Sequence, residues 1–503
     1  MKKVLFTLIG SNKTGMKPPA CSILSSVLKE KGHKVIYFDT TFMHTEFQFD
    51  YETHTKLNVF KKVDYDKYVN KNREKKDARK EFIRIIDQEK PDVIASTCLT
   101  DTYIPTLEYL SLAKEKYDIP TIIGGIHPTL NPDEVISEKV VDAICIGEGE
   151  EALVEFVDNV EKFQIKKTDI RNLWIKKEGE VFKNIMRPLV NMDNLPFMDY
   201  SIYDERHFHR PYQGNMYIGG DVQEKRGCPR KCTYCANSSL NDIYGGSRIN
   251  RYSPERFVEE MKYLKKTWKI NFCKFYTEDI AFVETDLLAE LSELYKKKVN
   301  IPFVAGAHPQ SLTKEKVKLL KNMNCKSLSI AIECGNEAYR KKVLKRDYSN
   351  EFFYRQVDML KDAGIRVHLL NMIGLPRESR KMIEETIAAV RRVNPDVSDC
   401  GCFFPYRGTP LGDLAIKEGY ISIDLLKQKQ TRYDVGTSYL DMPQITRTEV
   451  NNIRKLWYYY INSPEWLLPA IRWSENIESV SKVLMPAIKK ITEIENKRLK
   501  RTF

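Results

Sequence analysis

Residues 226–235 read Arg-Gly-Cys-Pro-Arg-Lys-Cys-Thr-Tyr-Cys, which sets Cys228, Cys232 and Cys235 in a Cys-x3-Cys-x2-Cys spacing. Thiolates are soft ligands suited to iron and zinc, and a closed structural site takes four of them. Only three lie together here, with no fourth cysteine at ligand spacing on either side. A 4Fe-4S cluster held by three cysteines keeps one iron open to a ligand that is not protein. A zinc site completed by His207 or His209 is the alternative, although this spacing is not a usual zinc pattern.

Downstream, helical stretches alternate with short apolar runs. A helix over 254–266 leads to a strand at 272–276, and further strands are expected at 302–305, 327–332, 367–372 and 400–404. With a first strand ahead of Cys228 these make six β/α units. Parallel strands wound this way close into a barrel or part of one, and reactive groups gather at their C-terminal ends. At those ends lie Thr277-Glu278-Asp279, Ile332-Glu333-Cys334-Gly335, Ile373-Gly374-Leu375-Pro376 and Pro405-Tyr406-Arg407-Gly408-Thr409-Pro410. Taken singly, each acidic residue also reads as a surface group or a helix cap.

Upstream, strands are expected at 4–9, 35–38, 93–96, 121–123 and 143–146, with helices over 20–31 and 107–117 and a polar, charged insertion between the second and third strands. Buried-type strands alternating with helices argue a parallel, doubly wound, Rossmann-like sheet. Ligands of such sheets sit beyond the strands' carboxyl ends. Four loops there carry small residues: Gly10-Ser11-Asn12, Ser96-Thr97, Gly124-Gly125-Ile126-His127-Pro128-Thr129 and Gly147-Glu148-Gly149-Glu150. Each glycine alone also reads as a tight strand-to-helix turn.

Together these motifs resemble the family of radical S-adenosylmethionine (SAM) enzymes that carry a cobalamin-binding domain, the class B methyltransferase-like group. The resemblance runs over roughly residues 1 to 160 and again from Asn194 to Leu411. It implies that Cys228, Cys232 and Cys235 hold the cluster, and that the open iron takes the amino and carboxylate groups of SAM. Tyr234 would lie near the adenine, Glu278 at the amino group although the family's Gly-Gly is missing here, Glu333 at the ribose, and Gly374 in a turn beside the adenine. Cobalamin would be held by Gly10, Ser11, Ser96, Thr97, Gly124, Gly125, His127, Thr129, Gly147 and Glu148. The first strand lacks Asp-x-His-x-x-Gly, so no histidine below the cobalt is implied.

The remaining sequence bounds the rest. The chain has 503 residues, 42% hydrophobic and 30% charged, the balance of a folded water-facing protein. Its formal net charge of +12 is spread along the chain apart from a lysine-rich tail at 497–501, so nucleic acid is not an expected partner. Only about six apolar residues follow Met1-Lys2-Lys3, too few for a secretory or membrane segment, and a cytoplasmic location is expected. The other eight cysteines are scattered in apolar runs and read as small buried hydrophobes.

The expected fold class is α/β: a Rossmann-like cobalamin-binding domain over 1–164, a linker with a hairpin over 165–220, a partial (β/α)6 TIM barrel over 221–420, and a helical region over 421–503 whose aromatics pack on the barrel. Expected cofactors are the 4Fe-4S cluster, SAM and cobalamin. Expected partners are a small-molecule, lipid or peptide substrate and an electron donor such as a flavodoxin or ferredoxin. The implied reaction is methylation of an unactivated carbon. Radical cyclisation, oxidation or rearrangement without methylcobalamin, and a non-enzymatic electron-transfer or regulatory protein, are the other readings.

Overall fold

The computed structural model describes residues 1–10, 15–43, 63–64, 66–69, 77–429, 437–476 and 478–498. Ser11, most of the polar insertion and the end of the lysine-rich tail lie outside them.

Five apolar runs form the parallel strands β1 (Lys3–Leu8), β2 (Lys34–Asp39), β3 (Val93–Thr97), β4 (Thr121–Gly124) and β5 (Ala143–Cys145), in the spatial order β2-β1-β3-β4-β5. Successive side chains of a strand point to opposite faces. Accordingly Val4 and Phe6 share one core with Ile23 and Leu28 of the helix Pro19–Glu30, while Leu5 and Ile94 share another with Tyr109 and Leu110 of the helix Tyr103–Lys114. Both faces are covered, which is why these strands read as continuous apolar runs. β1 lies between β2 and β3, so the chain winds to either side of it and opens a crevice at its carboxyl end.

The hairpin expected in a linker is instead part of this sheet. β6 (Leu173–Lys177) pairs antiparallel with β5, setting Ile144 opposite Trp174, and β7 (Glu180–Lys183) closes the edge. The first domain therefore continues past residue 164.

A second sheet follows, in the order β8 (His209–Tyr212), β9 (Asn215–Val222), β10 (Phe272–Phe275), β11 (Phe303–Gly306), β12 (Cys325–Glu333), β13 (Arg366–Ile373) and β14 (Val397–Cys402). β8 is antiparallel to β9, and the six strands from β9 on are parallel. β14 has no ladder to β8 or β9, so the barrel is open on one side. Its first strand begins before residue 221, inside the span expected as linker.

The helices behind this sheet form for local reasons. Ser253 caps the helix Pro254–Trp268 by accepting from the Arg256 N–H, Pro254 starts its first turn, and Phe257, Val258, Met261 and Leu264 bury one face. Such a cap contributes about 1 kcal/mol. Phe275 and Phe303 stack at 4.2 Å and tie β10 to β11. In the C-terminal region the helix Arg447–Asn462 packs on β14, where the Trp457 indole N–H donates to Ser398 Oγ at 3.0 Å. Trp457 and Tyr460 are core as expected, but Trp466 stands 67% exposed. Among the described residues no helix is long and apolar enough to cross a membrane.

Candidate active site

The cysteine loop follows β9 and the short strand Lys225–Arg226. Gly227 precedes Cys228 with φ +86°, and a Cβ there would lie 1.7 Å from the Arg248 carbonyl oxygen, so only glycine lets the chain enter the loop. The loop is anchored at several points. Asn241 Nδ2 donates to the Cys228 carbonyl at 2.8 Å, and Arg230 reaches Gln310 Oε1 at 2.9 Å and Ser311 Oγ at 2.8 Å beyond β11. The helix Ala236–Ile243 begins directly after Cys235. All three thiols are free of disulfides, with Cys232 buried and the other two partly exposed.

Burial pushes the Cys228 thiol up to about 11 and raises Cys235 as well, with Glu278 close enough to add to the latter shift. Metal binding would release these protons. Among the described residues no three His, Cys, Asp or Glu side chains converge closely enough for a single ion. His207 is committed elsewhere, with Nε2 3.0 Å from Asp39 Oδ2 and Nδ1 3.0 Å from the Met16 carbonyl.

Tyr234 turns its hydroxyl to Glu333, donating to Oε1 at 2.7 Å. Glu333 ends β12 just past a register shift and carries φ +63°. Bulges of this kind re-aim a side chain next to an active site. Burial raises the Glu333 carboxyl above the ordinary range, opposed by the nearby Arg346. Nothing in the sequence singles out Arg346, because its burial depends on segments distant in the chain. Gly374 also has a partner the sequence did not announce: Glu378, wholly buried, whose Oε2 accepts from the Gly374 N–H at 2.7 Å and from the Leu375 N–H at 3.1 Å.

Burial pushes Glu378 up to about 8 from an ordinary 4.5. The folded state therefore holds this proton more tightly than the unfolded chain. The associated stability is fully present below about pH 4.5 and is lost as pH rises through about 8, by up to about 1.4 kcal/mol per unit. Glu378→Gln, the shape of the protonated acid, is expected to flatten this slope. Denaturant unfolding across that window should show the variant gaining on the parent as pH rises, and parallel profiles would refute it.

The corrinoid-type loops meet the barrel at one cavity of about 310 Å³. From the first domain it is lined by Ser96, Thr97, Gly124, Gly125, Thr129, Gly147 and Glu148, and from the second by Gln223, Asn237, Arg248 and Glu278. Two predicted residues are not brought there. Gly10 gives its N–H to Thr40 Oγ1 at 2.8 Å, at the neighbouring crevice edge. His127 points back under its loop, its ring 4.2 Å from that of Tyr103 and Nδ1 3.1 Å from Thr100 Oγ1. Burial lowers it to about 4, so it is neutral at pH 7 and serves the loop's interior.

Glu148 borders the cavity with its carboxylate already used. Oε1 accepts from Arg226 Nη1 at 3.0 Å, and Oε2 accepts from the Val190 N–H at 2.9 Å. Arg226 also donates to Glu150 Oε1 at 2.5 Å, and all three side chains are buried. This ion cluster fastens the residue two places before Cys228 to the end of the first sheet. Glu150 Oε2 is buried in the cavity wall with no hydrogen bond. It is an acceptor waiting for a donor, as an amide side chain of a corrinoid would be, and the glycines around it leave the backbone open to a flat ligand.

Gly125 takes φ +109° and ψ −170°, and a Cβ there would stand 2.5 Å from the Cys98 carbonyl oxygen. That backbone region is essentially reserved for glycine, at a cost of about 1–3 kcal/mol for other residues. Gly125→Ala is expected to lose that much stability and to weaken corrinoid retention. Denaturation together with corrinoid absorbance after gel filtration reads both, and an unchanged variant would contradict this loop geometry.

Comparison with known proteins agrees with this arrangement. The radical SAM superfamily model matches residues 225–390, and the B12 binding domain model matches residues 57–157. An uncharacterized methyltransferase of Pyrococcus horikoshii is 24% identical over 398 residues, which cover 78% of this chain and 83% of that protein. The fold resembles that of the radical SAM methyltransferase TsrM from Kitasatospora setae, solved with cobalamin and a 4Fe-4S cluster, with a TM-score of 0.63 at 16% identity over 83% of this chain and 78% of that one. It also resembles the cobalamin-dependent SAM radical enzyme OxsB, with a TM-score of 0.65 at 15% identity over 99% and 72%. The chain therefore carries a radical SAM superfamily domain over residues 225–390 and, ahead of it, a B12 binding domain over residues 57–157.

Proposed function

We propose that this protein methylates an unactivated carbon of a small-molecule substrate, with a 4Fe-4S cluster and SAM on the barrel side of the cavity and cobalamin on the sheet side. The observation that carries the reading is that a single cavity is walled both by the loops that end β3, β4 and β5 and by Glu278 and the helix that follows Cys235. When bound, these cofactors supply a carbon-centred radical and a transferable methyl group, chemistry that no side chain has.

The protein's own residues position and exclude. Cys228, Cys232 and Cys235 would hold the cluster through three of its irons, which would leave the fourth for SAM. Tyr234 and Glu333 present a hydroxyl and a carboxyl to the nucleoside, and Glu378 fixes the Gly374 turn that would border its base. Arg226 ties the cluster loop to the corrinoid end of the first sheet, so the two cofactors keep a fixed separation. A one-electron donor of the flavodoxin or ferredoxin kind completes the system.

The test uses protein made without oxygen, with and without corrinoid supplied, then reduced and given SAM labelled on its methyl group. The account expects 5′-deoxyadenosine in both preparations and label reaching the corrinoid only where it is bound. Cleavage of SAM by protein that retains no corrinoid under any condition would overturn methyl transfer and favour another radical reaction.

A further inference from the structure

Arg346 is a buried cation beside the cysteine loop. Its side chain is 6% exposed, yet it follows β12 by thirteen residues, in a stretch with no strand or helix of its own. Three bonds fix the guanidinium: Nη2 donates to the Ala331 carbonyl at 2.8 Å, Nε to Tyr348 Oη at 3.1 Å, and Nη1 to Tyr234 Oη at 3.0 Å. Nη1 also lies 4.0 Å from the Cys232 sulfur. Its nearest carboxylate oxygen, Glu333 Oε1, is 3.7 Å away and already accepts from Tyr234. A buried guanidinium needs an anion within reach, and Glu333 at that distance is a partial one.

We propose that Arg346 is a positioning residue that raises the reduction potential of the cluster by holding a fixed positive charge against the Cys232 thiolate. The proposal rests on the reading that Cys228, Cys232 and Cys235 carry a 4Fe-4S cluster. Three thiolates on the oxidised core leave it net negative, and reduction by one electron from an external reductant adds a further negative charge without making or breaking a bond. A cation fixed beside one sulfur in a low-dielectric pocket stabilises the reduced form more than the oxidised one. Hydrogen bonds to cluster sulfurs and local charge are established levers on such potentials. Tyr348 and Tyr234 hold the guanidinium at its place, and the Ala331 carbonyl stops it from swinging into the barrel.

The test is a redox titration of reconstituted holoenzyme without SAM, followed by electron paramagnetic resonance, with iron and sulfide counted in every sample. Leaving SAM out separates this role from any contact Arg346 makes with SAM. Arg346→Gln is expected to keep its iron and to show a more negative midpoint than the parent. Arg346→Lys, whose shorter cation stands further from the sulfur, is expected to fall between them. If the Gln variant loses its iron, the Lys variant decides: a midpoint equal to the parent's overturns the proposal, as does an unmoved Gln variant with full iron. A parent protein that holds no iron would instead overturn the cluster reading itself.

Discussion

Cys232→Ala is expected to bring the iron content down from about four atoms per chain to near zero and SAM cleavage down to background. Cys232, the middle cysteine of the proposed cluster loop, is buried. Its loop is fixed independently of metal, because the Thr233 N–H reaches the Leu344 carbonyl at 3.4 Å and the Leu411 N–H reaches the Thr233 carbonyl at 2.9 Å. The apoprotein fold should therefore survive, with unchanged circular dichroism and unchanged corrinoid retention in the first domain. Iron analysis and 5′-deoxyadenosine assay check the prediction. A Cys232→Ala protein that still held a full complement of iron would remove the central assignment.

The second large effect is expected at Arg226. It pairs with both Glu148 and Glu150 in an environment where all three side chains are nearly inaccessible. Arg226→Met leaves two buried carboxylates without their cation, and breaking a buried pair in this way costs about 3–5 kcal/mol. Because the ion cluster joins the entry to the cysteine loop to the end of the first sheet, the loss should appear as separation of the domains: earlier denaturant unfolding, faster proteolysis between them, and weaker corrinoid retention. Replacing Glu148 and Glu150 with leucine in the same protein should recover much of the stability, since the uncompensated charges are then gone. A single variant as stable as the parent would show that the ion cluster does not fasten the domains. Raising the salt should change little, because screening acts on exposed charges and hardly on buried ones.

How much of this was legible in the sequence follows from how local each feature is. The parallel strands announced themselves because burial on both faces demands unbroken apolar runs such as those around Val4, Ile94 and Ile144, and their bounds shifted by only a few residues. The Cys-x3-Cys-x2-Cys loop was legible for the same reason, since its ligands are neighbours in the chain. The roles expected of Tyr234 and Glu333 came through a resemblance, and the hydrogen bond that joins the two side chains is a tertiary feature with no local signature. The hairpin was misplaced because Lys176, Lys177, Glu178 and Glu180 look like an exposed linker, and only its long-range ladder to β5 makes it an edge of the first sheet. Arg226, Arg346 and Glu378 carry no local signature, since burial of a charged side chain depends on segments far away in the sequence. His127 was overread for the converse reason: a histidine in a glycine loop draws attention, while its packing against Tyr103 is a tertiary fact.

The central claim is that one cavity, walled by both domains, would bring corrinoid and cluster near each other, and magnetic coupling between the two centres tests it most directly. Protein reconstituted with both cofactors would be poised so that the cluster is reduced and the corrinoid is in its paramagnetic cobalt(II) state, and its electron paramagnetic resonance spectrum recorded. The account predicts signals broadened or split by interaction between the two centres, and the return of the corrinoid signal to its isolated shape in Cys232→Ala, which keeps only the corrinoid. Two full-strength, unperturbed signals from the doubly loaded protein would contradict it.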